Sequence, residues 1–99
     1  MKPITVGILG AGRIGQVHGN NLLRMPGIEL KAVTDPFVDF ETWPPAPVAT
    51  AKGPELIFED DEIEAVLICT PTPTHAEFTE RAARVGKHVF CEKPVDHDP

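Results

Sequence analysis

The sequence predicts an α/β fold built on a doubly wound parallel sheet, and three observations carry that expectation. An apolar run from Ile4 to Leu9 enters glycines at positions 10, 12 and 15. The segment from Arg13 to Met25 then places Ile14, Val17, Leu22 and Leu23 at roughly helical spacing and is stopped by Pro26-Gly27. Further on, the apolar runs Ala65 to Cys69 and His88 to Cys91 flank a second helical segment, the alternation expected of a parallel sheet.

The glycines give the first turn a chemical meaning. Gly10 allows a tight strand-to-helix turn, Gly12 lets the backbone approach a pyrophosphate, and Gly15 lets the helix lie close to the strand. The helix N-terminus beyond offers unpaired N–H groups and positive dipole to phosphates. A second strand follows from Glu29 to Thr34 and ends in Asp35, twenty residues after Gly15. An acidic side chain at that distance accepts hydrogen bonds from both hydroxyls of an adenosine ribose and repels a 2′-phosphate, so NAD is expected over NADP. Gly-x-Gly-x-x-Gly alone is a generic pattern, and the strand, helix and acid around it make it a Rossmann-type fingerprint.

Residues 36–54 break the alternation. Prolines at 36, 44, 45, 47 and 54 read as loop and forbid a regular helix over 44–47. Val48 to Thr50 is a remnant of a third strand. Glu59, Asp60, Asp61, Glu62 and Glu64 form a solvated turn, with spacing that fits no calcium loop, and no metal site is expected. Ala65 to Cys69 is continuous and apolar, as in a central strand covered on both faces. It leads into Thr70-Pro-Thr-Pro-Thr-His75, where Thr74 and Glu77 have capping-box spacing ahead of a helix from His75 to Val85 that ends at Gly86. Phe78, Ala82 and Val85 are placed on its apolar face. After the strand His88 to Cys91, Glu92-Lys93-Pro94 ends the ladder.

The 99 residues and the net charge of −6 fit one domain with no basic stripe, which excludes nucleic acid and an anionic membrane surface as partners. No apolar run approaches the ~18 residues of a transmembrane helix. The apolar stretch after Lys2 is punctuated by the glycines and is not a signal peptide, so a cytoplasmic location is expected. Cys69 and Cys91 match no zinc or redox spacing and are expected as reduced, buried thiols. His18 reads as a packing residue, and His88 and His97 have no identifiable role.

Gly10-Ala-Gly-Arg-Ile-Gly15 with His18 downstream, Thr70-Pro-Thr-Pro-Thr-His75 and Glu92-Lys93-Pro94, in that order, are diagnostic together. Over nearly its whole length the chain resembles the N-terminal domain of the glucose-fructose oxidoreductase, inositol dehydrogenase and rhizopine-catabolism family (Gfo/Idh/MocA), nearest to its inositol 2-dehydrogenase-like members. The resemblance implies that Gly10, Gly12, Arg13, Ile14 and Gly15 form a pyrophosphate turn and that Asp35 holds the adenosine ribose. It also implies that Thr70, Pro71, Thr72 and His75 line the path to the nicotinamide, with Glu92 and Lys93 beside its ribose. Lys93 is then the catalytic candidate, an ammonium that steadies a developing alkoxide or polarises a carbonyl.

The implied reaction moves a hydride between NAD and a sugar or cyclitol carbon. Residues 1–99 are then expected as a truncated dinucleotide-binding domain, irregular at 36–54 and incomplete at its C-terminus, since Asp98-Pro99 looks like the start of another helix. The family's C-terminal domain supplies the substrate pocket, the general base and the oligomerisation sheet, so the chain alone is expected to be inactive. A non-catalytic NAD-binding or redox-sensing module, and a structural remnant that binds no nucleotide, are the alternatives.

Overall fold

The computed structural model describes residues 2–45 and 47–91. Five strands lie in one sheet: β1 (Ile4–Leu9), β2 (Ile28–Thr34), β3 (Ala49–Ala51), β4 (Ala65–Ile68) and β5 (His88–Cys91), in the spatial order β3-β2-β1-β4-β5. Every neighbouring pair is parallel. The chain order reverses at β1, which pairs with both β2 and β4, so the crevice at the carboxyl end of β1 is the topological switch point of a Rossmann-type sheet.

Helix α1 (Arg13–Arg24) joins β1 to β2, α2 (Glu55–Phe58) follows β3, and α3 (His75–Arg84) joins β4 to β5. Successive side chains of a strand point to opposite faces of the sheet, as Ile8 and Leu9 of β1 do. Ile8, Leu30 and Val33 face the α1 side, where Leu22, Val38, Phe40, Trp43 and Val48 pack on them. Leu9, Ala32, Val66 and Ile68 face the other side with Ile57, Phe58, Ile63 and Ala82. Both faces of the central strands are therefore dry, which is why Ala65 to Ile68 reads as an unbroken apolar run.

Several expectations need correction. α1 meets the sheet through buried Gly15 and Gly19 and through Leu22, whereas Ile14, Val17 and Leu23 are exposed. Glycine on the inner face brings the helix backbone close to the strand, so bulk there would push it away. In α3, Ala82 is fully buried and Phe78 packs beside the core, but Val85 closes the helix at 51 % exposure. Thr74 does not act as a capping-box hydroxyl: a 3₁₀ turn over Thr72–Thr74 runs straight into α3, and the Thr74 hydroxyl is engaged with Thr70 and Pro71 instead. Cys69 and Cys91 are thiols, yet Cys69 is half-buried and Cys91 exposed, because β5 pairs only with β4 among the described residues.

The proline-rich segment holds no helix between Asp35 and β3 among the described residues. Val38, Phe40, Trp43 and Val48 take the place of a helix by packing as a strap on the α1 face. The third strand is Ala49–Ala51, one residue beyond the expected remnant. The four-residue α2 was not legible, and its Ile57 sits against Gly7, where a Cβ would meet Ile57 Cγ2 at 2.9 Å. The acidic run is a turn held from within the molecule. Lys31 Nζ pairs with Asp60 and Glu62, both at 2.7 Å, and the buried Lys87 Nζ donates to the Asp60 and Ile63 carbonyls, also at 2.7 Å. The Lys31 hydrogen bond holds the Asp60 carboxyl below its ordinary value, and the two carboxylates push the Lys31 ammonium upward.

Candidate functional site

The switch point is assembled from the ends of β1, β2, β3 and β4. Gly10 has φ +103°, a left-handed conformation in which any Cβ would also strike the Cys69 backbone at 2.7 Å. Its N–H donates to the Thr34 carbonyl at 2.7 Å, and the Cys69 N–H donates to the Leu9 carbonyl at 2.7 Å, so the strand ends are laced together below the turn. A Cβ on Gly15 would collide with the Gly10 carbonyl oxygen. Gly12 differs: a Cβ there meets nothing within 4 Å, so the backbone at the start of α1 looks onto open space.

Asp35, one residue past β2, faces that turn. Its Oδ2 accepts from the buried Ala11 N–H at 2.8 Å, and its Oδ1 accepts from the Phe37 and Val38 N–H groups at 2.8 and 3.1 Å. Beyond β4, the Thr74 hydroxyl lies 2.7 Å from the Pro71 carbonyl and 2.5 Å from Thr70 Oγ1. The ring Nε2 of His75 is 2.7 Å from the Thr70 carbonyl. A carbonyl only accepts, so Nε2 carries the proton and Nδ1 is left as the other ring position.

These elements enclose a cleft of about 610 Å³, within the usual range for small-molecule sites. The structure brings six of the sequence-derived residues to its wall: Gly12, Arg13, Ile14, Asp35, Thr70 and Pro71. Gly10 lies behind them on a small side cavity of about 90 Å³ that also meets Lys52. Gly15 is buried under the turn, Thr72 and His75 are not in the cleft wall, and Glu92 and Lys93 lie outside the described residues. His75 works one step back, by gripping the carbonyl of Thr70. Sequence reasoning missed Pro36, Phe37, Val38, Cys69, Thr74 and Phe78 in the wall. The signal for the first three was adjacency to Asp35; Phe37 is 92 % exposed there, a large apolar side chain with no core to serve.

The residues fit a dinucleotide. The α1 N-terminus carries no side-chain cap and no acidic residue in its first turn, so its amides and dipole remain available to an anion. The space above Gly12 is wide enough for phosphate oxygens, and the Asp35 carboxylate, a group able to accept from a ribose hydroxyl, lines the same cleft. Fold and cleft thus define a dinucleotide-binding Rossmann domain. The chain belongs to the oxidoreductase family with an NAD-binding Rossmann fold, Gfo/Idh/MocA, whose model matches residues 4–99.

An inositol 2-dehydrogenase of Rhizobium meliloti is 45 % identical over 96 % of this chain and 29 % of its own length. A myo-inositol 2-dehydrogenase of Thermotoga maritima is 40 % identical over 91 % and 28 %. The crystal structure of scyllo-inositol dehydrogenase from Lactobacillus casei, with bound NAD(H) and scyllo-inositol, superposes with a TM-score of 0.83 at 31 % identity, over 98 % of this chain and 30 % of that one. The chain spans under a third of the length of these relatives.

Proposed function

We propose that this chain is the NAD-holding domain of a dehydrogenase that oxidises a hydroxyl carbon of a cyclitol of the inositol type, or of a related sugar. The observation that carries the reading is the open space over Gly12 at an uncapped helix N-terminus, with the Asp35 carboxylate in the same cleft. The names of the inositol dehydrogenases above supply the substrate class. NAD, when bound, supplies the acceptor for the substrate's hydride.

In this reading the Gly12, Arg13 and Ile14 backbone receives the pyrophosphate. Asp35 accepts from the adenosine ribose, and its negative charge disfavours the extra phosphate of NADP. Thr70 and Pro71 form the wall toward the nicotinamide, with His75 steadying the Thr70 carbonyl. The Lys93 ammonium stabilises charge that develops on the substrate oxygen. We assign the substrate pocket, the general base and any self-association to the part of the relatives beyond the matched stretch. On the same basis the 99-residue chain turns over no substrate by itself. We assign the chain a cytoplasmic setting, in keeping with two cysteines that form no disulfide.

Calorimetric titration of the chain with NAD and NADP, repeated on Asp35→Ala, tests the reading. NAD is expected to bind more tightly than NADP and to lose at least about tenfold in the variant, or roughly 1.4 kcal/mol. A folded chain that takes up no NAD, or prefers NADP, overturns it. Steady NADH production from myo-inositol by the chain alone overturns the assignment of the base to a further domain.

A further inference from the structure

We infer that Asp35 is a positioning residue for the phosphate turn, acting through the Ala11 peptide independently of any ribose contact. Ala11 lies between Gly10 and Gly12 and is fully buried. Its N–H donates to Asp35 Oδ2 at 2.8 Å, and its carbonyl accepts from Gln16 Nε2 at 3.1 Å, so the two peptide groups flanking the Ala11 Cα are held, the first from the end of β2 and the second from α1. The inference deepens the proposed cofactor site and rests on that reading for its ligand arm.

The lone-pair count favours a double role. A carboxylate offers about four acceptor positions. Ala11, Phe37 and Val38 occupy three in the ligand-free chain, leaving about one for a ribose hydroxyl. The larger share of the carboxylate's hydrogen bonding is thus spent on the protein. A buried N–H that loses a charged acceptor has no water to replace it. The peptide beside Gly10 then gains freedom, because Gly10, at φ +103°, has no Cβ to confine it. Substituting Asp35 to change ribose selectivity should therefore also loosen the grip on phosphate.

Two measurements separate this role from ribose contact. The first is titration of the wild-type chain, Asp35→Asn and Gln16→Ala with NAD and with an NAD analogue whose adenosine ribose lacks both the 2′- and 3′-hydroxyls. If Asp35 acted through the hydroxyls alone, the analogue would bind wild type and Asp35→Asn equally. The expected result is at least a fivefold weaker analogue in Asp35→Asn and a fall of the same sign in Gln16→Ala, which reaches the turn from the other side. The second is amide hydrogen exchange on the ligand-free chain: Ala11, Phe37 and Val38 should exchange at least tenfold faster in Asp35→Asn while Val66 in the core is unchanged. Equal analogue binding, or unaltered exchange at Ala11, overturns the inference. If wild type binds no NAD, the cofactor reading fails by itself and the exchange arm still decides whether Asp35 sets the turn.

Discussion

The indole of Trp43 sits so close to Gly19 of α1 that a Cβ at that glycine would collide with its Cζ2 and Cη2 atoms. The same ring donates its Nε1–H to Asn20 Oδ1 at 2.8 Å. A strap without regular structure is thereby fastened to the helix by one apolar contact and one hydrogen bond. Gly19→Ala should therefore destabilise. In an unencumbered helix interior, alanine would gain about 0.5–1 kcal/mol over glycine; displacement of the indole costs about 1–3 kcal/mol, so the clash wins. Urea unfolding followed by Trp43 fluorescence is expected to show a lower midpoint. A raised midpoint would mean that the ring moves aside freely.

Gly12 and Gly15 should separate binding from folding. A methyl at Gly12 enters open space, so Gly12→Ala should change stability by no more than about 0.5 kcal/mol. It occupies the place assigned to phosphate oxygens, and NAD affinity should fall at least about tenfold, or roughly 1.4 kcal/mol. A methyl at Gly15 runs into the Gly10 carbonyl, so Gly15→Ala should lower the melting temperature as well as binding. Parallel melting curves and titrations check the pair, and equal melting losses in both variants would contradict the cradle.

Lys87 is a buried cation whose ammonium donates to the backbone carbonyls of Asp60 and Ile63. Lys87→Met keeps the apolar stem and removes both donors. Each stranded carbonyl costs about 1–3 kcal/mol, and the Asp60–Ile63 turn enters β4 directly. We expect a loss of about 2 kcal/mol or more in chemical denaturation, with NAD binding unchanged at 25 °C because the turn lies at the other end of the sheet. A stability change under about 0.5 kcal/mol would show that the turn holds itself.

Acid should weaken the Lys31 cluster with a definite sign. The Lys31 hydrogen bond lowers the Asp60 carboxyl from its ordinary 3.8, so the folded state holds that proton less tightly than the unfolded state does. The associated stability is present above about 3.8 and is lost as pH falls through the lower folded value. Lys31 is shifted upward, so its share persists through neutral pH and disappears only in strong alkali. Urea midpoints of wild type and Lys31→Met should differ at pH 6 and converge toward pH 2. A gap that stays constant would remove the Asp60 pairing as its source. Both groups are solvent-screened, so the gap should also narrow in 1 M salt.

What the sequence made legible followed special backbone demands. The turn at Gly10, the end of α1 near Pro26 and the two-sided burial of β4 each leave a residue-type signature that needs no partner to be read. The Asp35 position was legible by spacing, but not its three backbone donors, because they depend on how the chain folds back after Pro36. The four residues of α2 are too few to show a helical period. At Thr74 the capping-box letters were present, yet the Pro71 carbonyl and Thr70 hydroxyl were nearer competitors for its hydroxyl. At the seam between α1 and the sheet Gly15 was legible from its place in the fingerprint, whereas Gly19 was not, because glycine carries no hydrophobic signal.

The placement of acidic residues resolves an apparent conflict between a chain of net charge −6 and an anionic ligand. Glu29, Asp61, Glu62 and Glu64 border one hollow at the amino ends of the strands, whereas the dinucleotide cleft opens at the carboxyl ends. A strand the length of β1, six residues at about 3.3 Å each, separates the two ends by roughly 20 Å. Physiological salt screens charge over about 8 Å. An approaching dinucleotide therefore meets the local field of Arg13, the α1 terminus and the Asp35 carboxylate in the cleft wall, and the acids at the amino ends of the strands do little to slow its arrival.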